Sequence, residues 1–338
     1  MFVKIDNTSL TLLEAVLKKC NFESAFYSNM KGPLFFAKIL LFGEYGIIKD
    51  SKGLSIPYNF YRGALKIPAE GDDFDQNSNQ KLKDFALHLR SLSPKIVEFD
   101  WEKLENDLAQ NMYFDSSIPQ GYGVGSSGAL VAAIYDQYAK CKITVLENLT
   151  KEKLGYLKKV FSQMESFFHG KSSGLDPLNS YLSLPILIHS KENIQTIGIP
   201  SQHSKGKGAV FLLDSGKSGE TAPMVSMFME NMKKEAFSNM MRDQFIKCSD
   251  ACVEDFLKGN ISSLFKNIKA LSALVLTNFQ PMIPDAFHQL WLQGIESNDY
   301  YLKLCGSGGG GFILGFAQDF EKAKKSLKQY PLEVVYHF

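Results

Sequence analysis

Several features that would mark a membrane, secreted or nucleic-acid-binding protein are missing from this sequence. No apolar run in its 338 residues reaches the roughly 18 that a membrane-spanning helix needs, and no cleavable leader opens it, so a cytoplasmic protein without a membrane partner is expected. Cysteines are few: Cys20, Cys141, Cys248, Cys252 and Cys305 are odd in number and contain no CxxC pair, which fits a reducing compartment and offers no zinc site. An excess of one charge is missing too. Lys plus Arg number 37 and Asp plus Glu 36, a net charge of +1, which argues against nucleic acid or an anionic membrane as the main partner. The lysine runs Lys151 to Lys159 and Lys322 to Lys328 carry leucines at helical spacing and read as solvated helix faces. The Walker pattern G-x-x-x-x-G-K-[ST] does not occur.

What is there suits two domains of ordinary size or one large one, with an apolar fraction of 45% and a charged fraction of 22%. The sharpest stretch is Pro119-Gln120-Gly121-Tyr122-Gly123-Val124-Gly125-Ser126-Ser127-Gly128, which runs into a helical pattern with Leu130, Ile134 and Tyr138 on one face. A helix start has free N–H groups and the positive end of the dipole, and glycines let a phosphate approach the main chain, so the stretch reads as an anion cradle. One of the two hydroxyls of Ser126 and Ser127 can cap the helix, leaving the other for a metal ion or a phosphate oxygen. Residues 123–128 also match the dinucleotide fingerprint G-x-G-x-x-G. The segment before them, Asp115 to Gln120, is polar and holds Pro119, whereas that fingerprint needs a buried strand there.

Residues 1–29 contain a candidate amphipathic helix around Leu10 to Leu17 and nothing chemical. The run Leu34 to Phe42 reads as a strand buried on both faces, and its single charge, Lys38, either snorkels to an edge or answers an anion. Further strands are expected over Leu54 to Pro57 and Phe60 to Ile67, then a polar loop from Gly71 to Gln80, then helices marked by Leu82, Phe85, Leu89 and Leu92 and by Trp101 to Leu108. Leu154 to Phe168 form an amphipathic helix ending at Gly170, with Glu165 and His169 near its end, and His169 reads as structural. Beyond it Asp176 precedes Pro177, which should hold it outside the α region. Strands are expected at Gln195 to Ile199 and Ala209 to Asp214, and long methionine-rich helical patterns over Pro223 to Leu257 and Ile261 to Leu276. Near the end, Gly306 to Gly311 is a second glycine run between apolar strands, which something must approach closely.

Three motifs now stand in order: the strand with Lys38 and Gly43-Glu44, the loop Pro119 to Ala129, and the run Gly306 to Gly311. In that order and spacing they resemble the three signature motifs of the GHMP kinases, named for galactokinase, homoserine kinase, mevalonate kinase and phosphomevalonate kinase, over Leu34 to Phe338. Lys38-Ile39-Leu40-Leu41-Phe42-Gly43-Glu44, and Glu165 followed by His169-Gly170-Lys171-Ser172-Ser173-Gly174-Leu175-Asp176, look most like the mevalonate kinase branch. The resemblance implies an α+β, two-domain GHMP kinase fold with the active site in the interdomain cleft: 1–30 an extension of unknown role, 31–190 the N-terminal domain, 191–338 the C-terminal domain. It implies Asp176 as the catalytic carboxylate with Lys38 beside it. It places ATP against Pro119, Gly121, Gly123, Val124, Gly125, Ser126, Ser127, Gly128, Gly308 and Gly309, and Mg²⁺ on Ser127 and Glu165.

The implied reaction is transfer of the ATP γ-phosphoryl group to the 5-hydroxyl of mevalonate, with monomer or homodimer left open. The sequence departs from the family pattern in three places: Tyr45 stands for the usual histidine, Gly128 for the usual alanine, and Cys305 and Ser307 alter the third motif. The first bears on the acceptor pocket, which that strand end borders in the family; the others are expected to matter little to ATP. Phosphomevalonate kinase is the alternative, with Lys52, Arg62, Lys66 and Lys171 as candidates for the acceptor phosphate. A non-catalytic nucleotide-binding sensor and a dinucleotide oxidoreductase are the more distant ones.

Overall fold

The structure is a computed structural model that describes residues 30–92, 97–203 and 206–338. The expected helix around Leu10 to Leu17, and Cys20, lie outside the described residues. The chain opens with β1 (Phe35–Phe42), whose alternate faces are both covered, as its unbroken apolar run requires. A 3-10 turn at Gly46–Lys49 leads into β2 (Gly53–Lys66), followed by the helices α1 (Gln76–Ser91) and α2 (Trp101–Ala109) and the short strand β3 (Tyr113–Ser116). Three helices follow, α3 (Ser126–Tyr138), α4 (Lys151–His169) and α5 (Leu175–Leu182), before β4 (Ile186–Ser190) and β5 (Asn193–Thr196). These strands form one sheet in the order β1-β2-β4-β5, with β3 also on β2, and every pairing is antiparallel.

The second half runs β6 (Ala209–Asp214), α6 (Thr221–Asn231), α7 (Glu235–Met240), α8 (Ile246–Lys258), α9 (Ile261–Asn278), α10 (His288–Ser297), β7 (Tyr301–Leu304), β8 (Phe312–Ala317), α11 (Phe320–Ser326) and β9 (Leu332–His337). Its sheet has the order β7-β8-β6-β9, again wholly antiparallel. A dinucleotide-binding domain needs a parallel, doubly wound sheet, and no such sheet exists among the described residues. One apolar core runs through both halves. Phe42 at the end of β1 packs against Phe256 of α8 at 6.1 Å and stacks on Phe316 of β8 at 5.6 Å between ring centres.

The elements differ from the sequence expectation in several places. The two strands expected between Leu54 and Ile67 are one, because the register jumps from Phe36 opposite Arg62 to Ala37 opposite Tyr58 and bulges out Asn59, Phe60 and Tyr61 without ending the ladder. The polar loop ends early, at Asp75, whose side chain accepts from the Ser78 N–H and caps α1. The polar segment after Met112 contains β3, an edge strand paired through its backbone to Gly63–Lys66, with Phe114 its one buried side chain. The strand β4 has no counterpart in the sequence reading. The single pattern Pro223 to Leu257 is broken into α6, α7 and α8, with a π turn at Met241–Phe245. The first sheet ends at Thr196, a little beyond the boundary expected at 190.

Candidate active site

The site is assembled from β1, α3, α4 and α5. Lys38 sits in the middle of β1 with only 4% of its surface exposed, its stem in the core, and its Nζ 3.0 Å from Asp176 Oδ1. Of the two readings left open for it, answering an anion is the one realised. Burial pulls the Lys38 ammonium down, but Asp176, Cys305 and Glu44 together outweigh this and leave its pKa raised, so the lysine is charged. Asp176 lies within the first turn of α5, whose N-cap is Gly174. The expectation that Pro177 would hold it outside the α region is therefore wrong: a first-turn residue has no intrahelical partner for its N–H, so proline fits there at no hydrogen-bond cost.

The glycine loop lies along β1, tied by the Lys38 N–H donating to Val124 O at 2.9 Å. Gly125 takes φ 83 as the N-cap of α3, and a Cβ there would come within 3.0 Å of Lys38 Cγ. It has no side-chain cap, so the expected capping role of Ser126 or Ser127 is not realised. The Ser127 hydroxyl instead donates to Glu165 Oε1 at 3.0 Å and stands 3.0 Å from His169 Nε2. Gly128 is where α3 crosses α5: a Cβ there would meet Asp176 C and Pro177 N at 2.8 Å. This departure from alanine thus sets how closely Asp176 approaches the loop.

Glu165 is buried on α4, with the Ser172 hydroxyl donating to its other oxygen. Burial pushes its carboxyl up to about 7, and the neighbouring Asp176 carboxylate adds to this, while the two serine hydroxyls and Lys38 oppose it. Burial also lowers the His169 pKa. His169, read from sequence as structural, thus joins the group around Ser127. Its place at the end of the same helix as Glu165, four residues on, is the signal that could have found it.

The second glycine run is approached by main chain. A Cβ on Gly123 would lie 2.4 Å from Cys305 O, one on Gly311 2.5 Å from Tyr122 Cα, and one on Gly310 2.7 Å from Ser218 C. Gly309 donates its N–H to Met282 O at 2.7 Å and Gly219 donates to Gly121 O at 2.8 Å. The two glycine stretches and the turn 215–221 therefore form a three-layer backbone stack. At its base lie contacts that sequence reasoning did not reach. Lys303 of β7 pairs with Glu44 at 2.5 Å, both buried, and the Tyr45 hydroxyl donates to Ser307 O at 2.6 Å. Burial pushes Glu44 up, and the Lys303 ammonium only partly offsets it.

An antiparallel two-sheet fold with a buried lysine, an aspartate, and a serine–glutamate pair at the mouth of a glycine loop defines a class. Residues 95–183 match the model of the GHMP kinases N terminal domain, and the chain is similar to the GHMP kinases, a family of ATP-dependent kinases that phosphorylate alcohols. Among curated relatives, mevalonate kinase of Thermococcus sibiricus is 24% identical over 311 residues, covering 84% of this chain and 88% of that protein. That of Thermococcus onnurineus is 24% identical over 220 residues, and there the match spans 59% of this chain and 61% of the relative. The fold is also that of the L. major mevalonate kinase solved with R-mevalonate, with a TM-score of 0.60, 17% identity, and coverage of 92% of this chain and 98% of that one. Among the described residues no helix is long and apolar enough to cross a membrane.

Proposed function

We propose that the protein transfers the γ-phosphoryl group of ATP to the 5-hydroxyl of mevalonate. The observation that carries the chemistry is the Lys38–Asp176 pair, 3.0 Å apart, beside the mouth of the glycine loop. In the reaction the acceptor oxygen bonds to the γ-phosphorus while the bond from that phosphorus to the ADP oxygen breaks, and the hydroxyl proton passes to Asp176. Lys38 stands beside that carboxylate and balances the negative charge that develops on the acceptor oxygen. The first-turn N–H groups of α3 and the loop Pro119, Gly121, Gly123, Val124, Gly125, Ser126, Ser127 and Gly128 receive the phosphates. Gly309 has its N–H committed to Met282, so it and Gly308 shape the cleft through main-chain packing.

The Ser127 hydroxyl and the Glu165 carboxylate are hard oxygen donors 3.0 Å apart, and Glu165 is held beside a second carboxylate with its pKa raised, which suits a cation there. Mg²⁺ would be held by these two residues together with the phosphates, and when bound it supplies charge neutralisation on the transferring group. Of the four cations that a phosphorylated acceptor could use, Lys52 is paired with Glu254 and Lys66 with Asp115, which favours the unphosphorylated acceptor. The division into 31–190 and 191–338 is retained as a functional one, with donor and acceptor meeting between the halves.

The deciding experiment is ADP release with Mg²⁺ and ATP against mevalonate, phosphomevalonate, galactose and homoserine. Stimulation by mevalonate alone supports the reading, stimulation by another acceptor replaces the substrate, and ATP binding with no stimulated turnover favours a sensor.

A further inference from the structure

Two of the residues that depart from the family pattern, Tyr45 and Ser307, meet in the folded chain. Tyr45 follows β1 directly after Glu44, and its hydroxyl donates to the main-chain oxygen of Ser307, inside the second glycine run, at 2.6 Å. Its ring is 6% exposed, packed between Phe228 at 4.7 Å and Phe279 at 5.6 Å, and so it is turned into the second half of the molecule. The backbone is bent to put it there: Tyr45 has φ 61 and ψ −37, with the Gly46 N–H donating to Glu44 O at 2.6 Å, a γ-turn of the rare, strained kind. Strain of this sort persists where the surroundings over-determine it, and it gathers at functional sites.

What Tyr45 holds is the upper layer of the backbone stack. Cys305 O and Gly306 N rest on Gly123, and Gly311 rests on Tyr122, so a shift of the run shifts the loop that faces the phosphates. The Glu44–Lys303 pair, one residue before Tyr45 and four before Ser307, anchors the base of the same run. We propose that Tyr45 is a positioning residue for the phosphoryl donor: its phenol fastens the strand bearing Lys38 to the glycine run and so fixes the run over the phosphate-facing loop. The inference rests on the reading of that loop as the ATP site and is independent of which acceptor is used. It moves Tyr45 from the acceptor side, where the family resemblance would put it, to the donor side.

The test is Tyr45→Phe, which keeps the ring packing and removes only the hydroxyl. Hydrogen exchange of the full-length protein is expected to quicken about tenfold at the amides of 306–312, the order of one lost hydrogen bond, while β6 and β9 stay as in wild type. With this, the KM for ATP and the Kd for a non-hydrolysable ATP analogue are expected to rise at least about threefold with kcat within about twofold, since the bond positions the donor without touching the reacting atoms. A variant with a lower melting temperature but unchanged exchange at 306–312, or with faster exchange there and unchanged nucleotide affinity, overturns the proposal. Tyr45→His serves as a second variant, and recovery of wild-type nucleotide affinity by it also overturns a role specific to the phenol. Wild-type protein that binds the analogue but does not phosphorylate mevalonate removes only the acceptor assignment, and the Tyr45 comparison is then read from affinity and exchange. Wild-type protein that binds no nucleotide removes both.

Discussion

At the scale of single residues the site depends on where charge is held. In the proposed reaction Asp176 accepts a proton only in the transfer itself, so Asp176→Asn is expected to lower kcat by about 10²–10⁴-fold with the KM for ATP little changed, measured as ADP release. Glu165 behaves differently. Its pKa in the folded chain, about 7, lies above the ordinary 4.5, because burial and the neighbouring Asp176 disfavour its charge. Folding therefore favours the protonated form, and the stability this contributes is full below pH 4.5 and is lost as pH rises through about 7. Metal-free Glu165→Gln, which cannot ionise, should match wild type near pH 4 and exceed it at pH 8 by an amount on the order of 1–3 kcal/mol. Melting curves in EDTA across that range check this, and parallel curves for the two proteins would contradict it. The residue types were legible in the sequence. The burial that raises Glu165 was not, because a glutamate on an amphipathic helix reads as solvated until the packing of Ser127 and Ser172 around it is seen.

At the scale of elements, the crossing of α3 and α5 brings the serine and the aspartate together. Gly128 lies at that crossing with Asp176 C and Pro177 N only 2.8 Å from where a Cβ would stand. Gly128→Ala should force the helices apart, costing about 1–3 kcal/mol by denaturant unfolding and lowering kcat more than it changes ATP affinity, since Asp176 moves with α5. Equal stability of the two proteins would show that the crossing relaxes freely. Periodicity found α1 to α4, α9 and the buried strand β1 because these are local patterns of side-chain polarity, but it gave no helix over α5, read as a turn, or over α10. It missed β4 and β3 and split β2, because pairing of a short edge strand or a bulged strand is decided by backbone partners far away in the chain.

At the scale of the whole molecule, the Glu44–Lys303 pair joins the two sheets in the core. Lys303→Met alone leaves Glu44 buried without its counter-charge, and a loss of about 3–5 kcal/mol is expected. Lys303→Met combined with Glu44→Leu should recover much of it, because two apolar side chains of similar size need no desolvation. A denaturation cycle over the four proteins measures the coupling. A double variant no more stable than the single one would show that the pair is replaceable only by charge.

The family resemblance, its three motifs and the residue types of the proposed catalytic pair were determined by the sequence alone, since glycine spacing, a lysine in an apolar strand and an aspartate after a glycine turn are all local. The resemblance already placed Lys38 beside Asp176 and Ser127 with Glu165; the tertiary structure alone decided the direct 3.0 Å contacts within each pair, that Ser127 also turns to His169 rather than capping its helix, and that Tyr45 reaches Ser307. Each of these contacts joins segments more than thirty residues apart, with distances set by helix crossings and glycine-to-backbone contacts that no local pattern of polarity encodes.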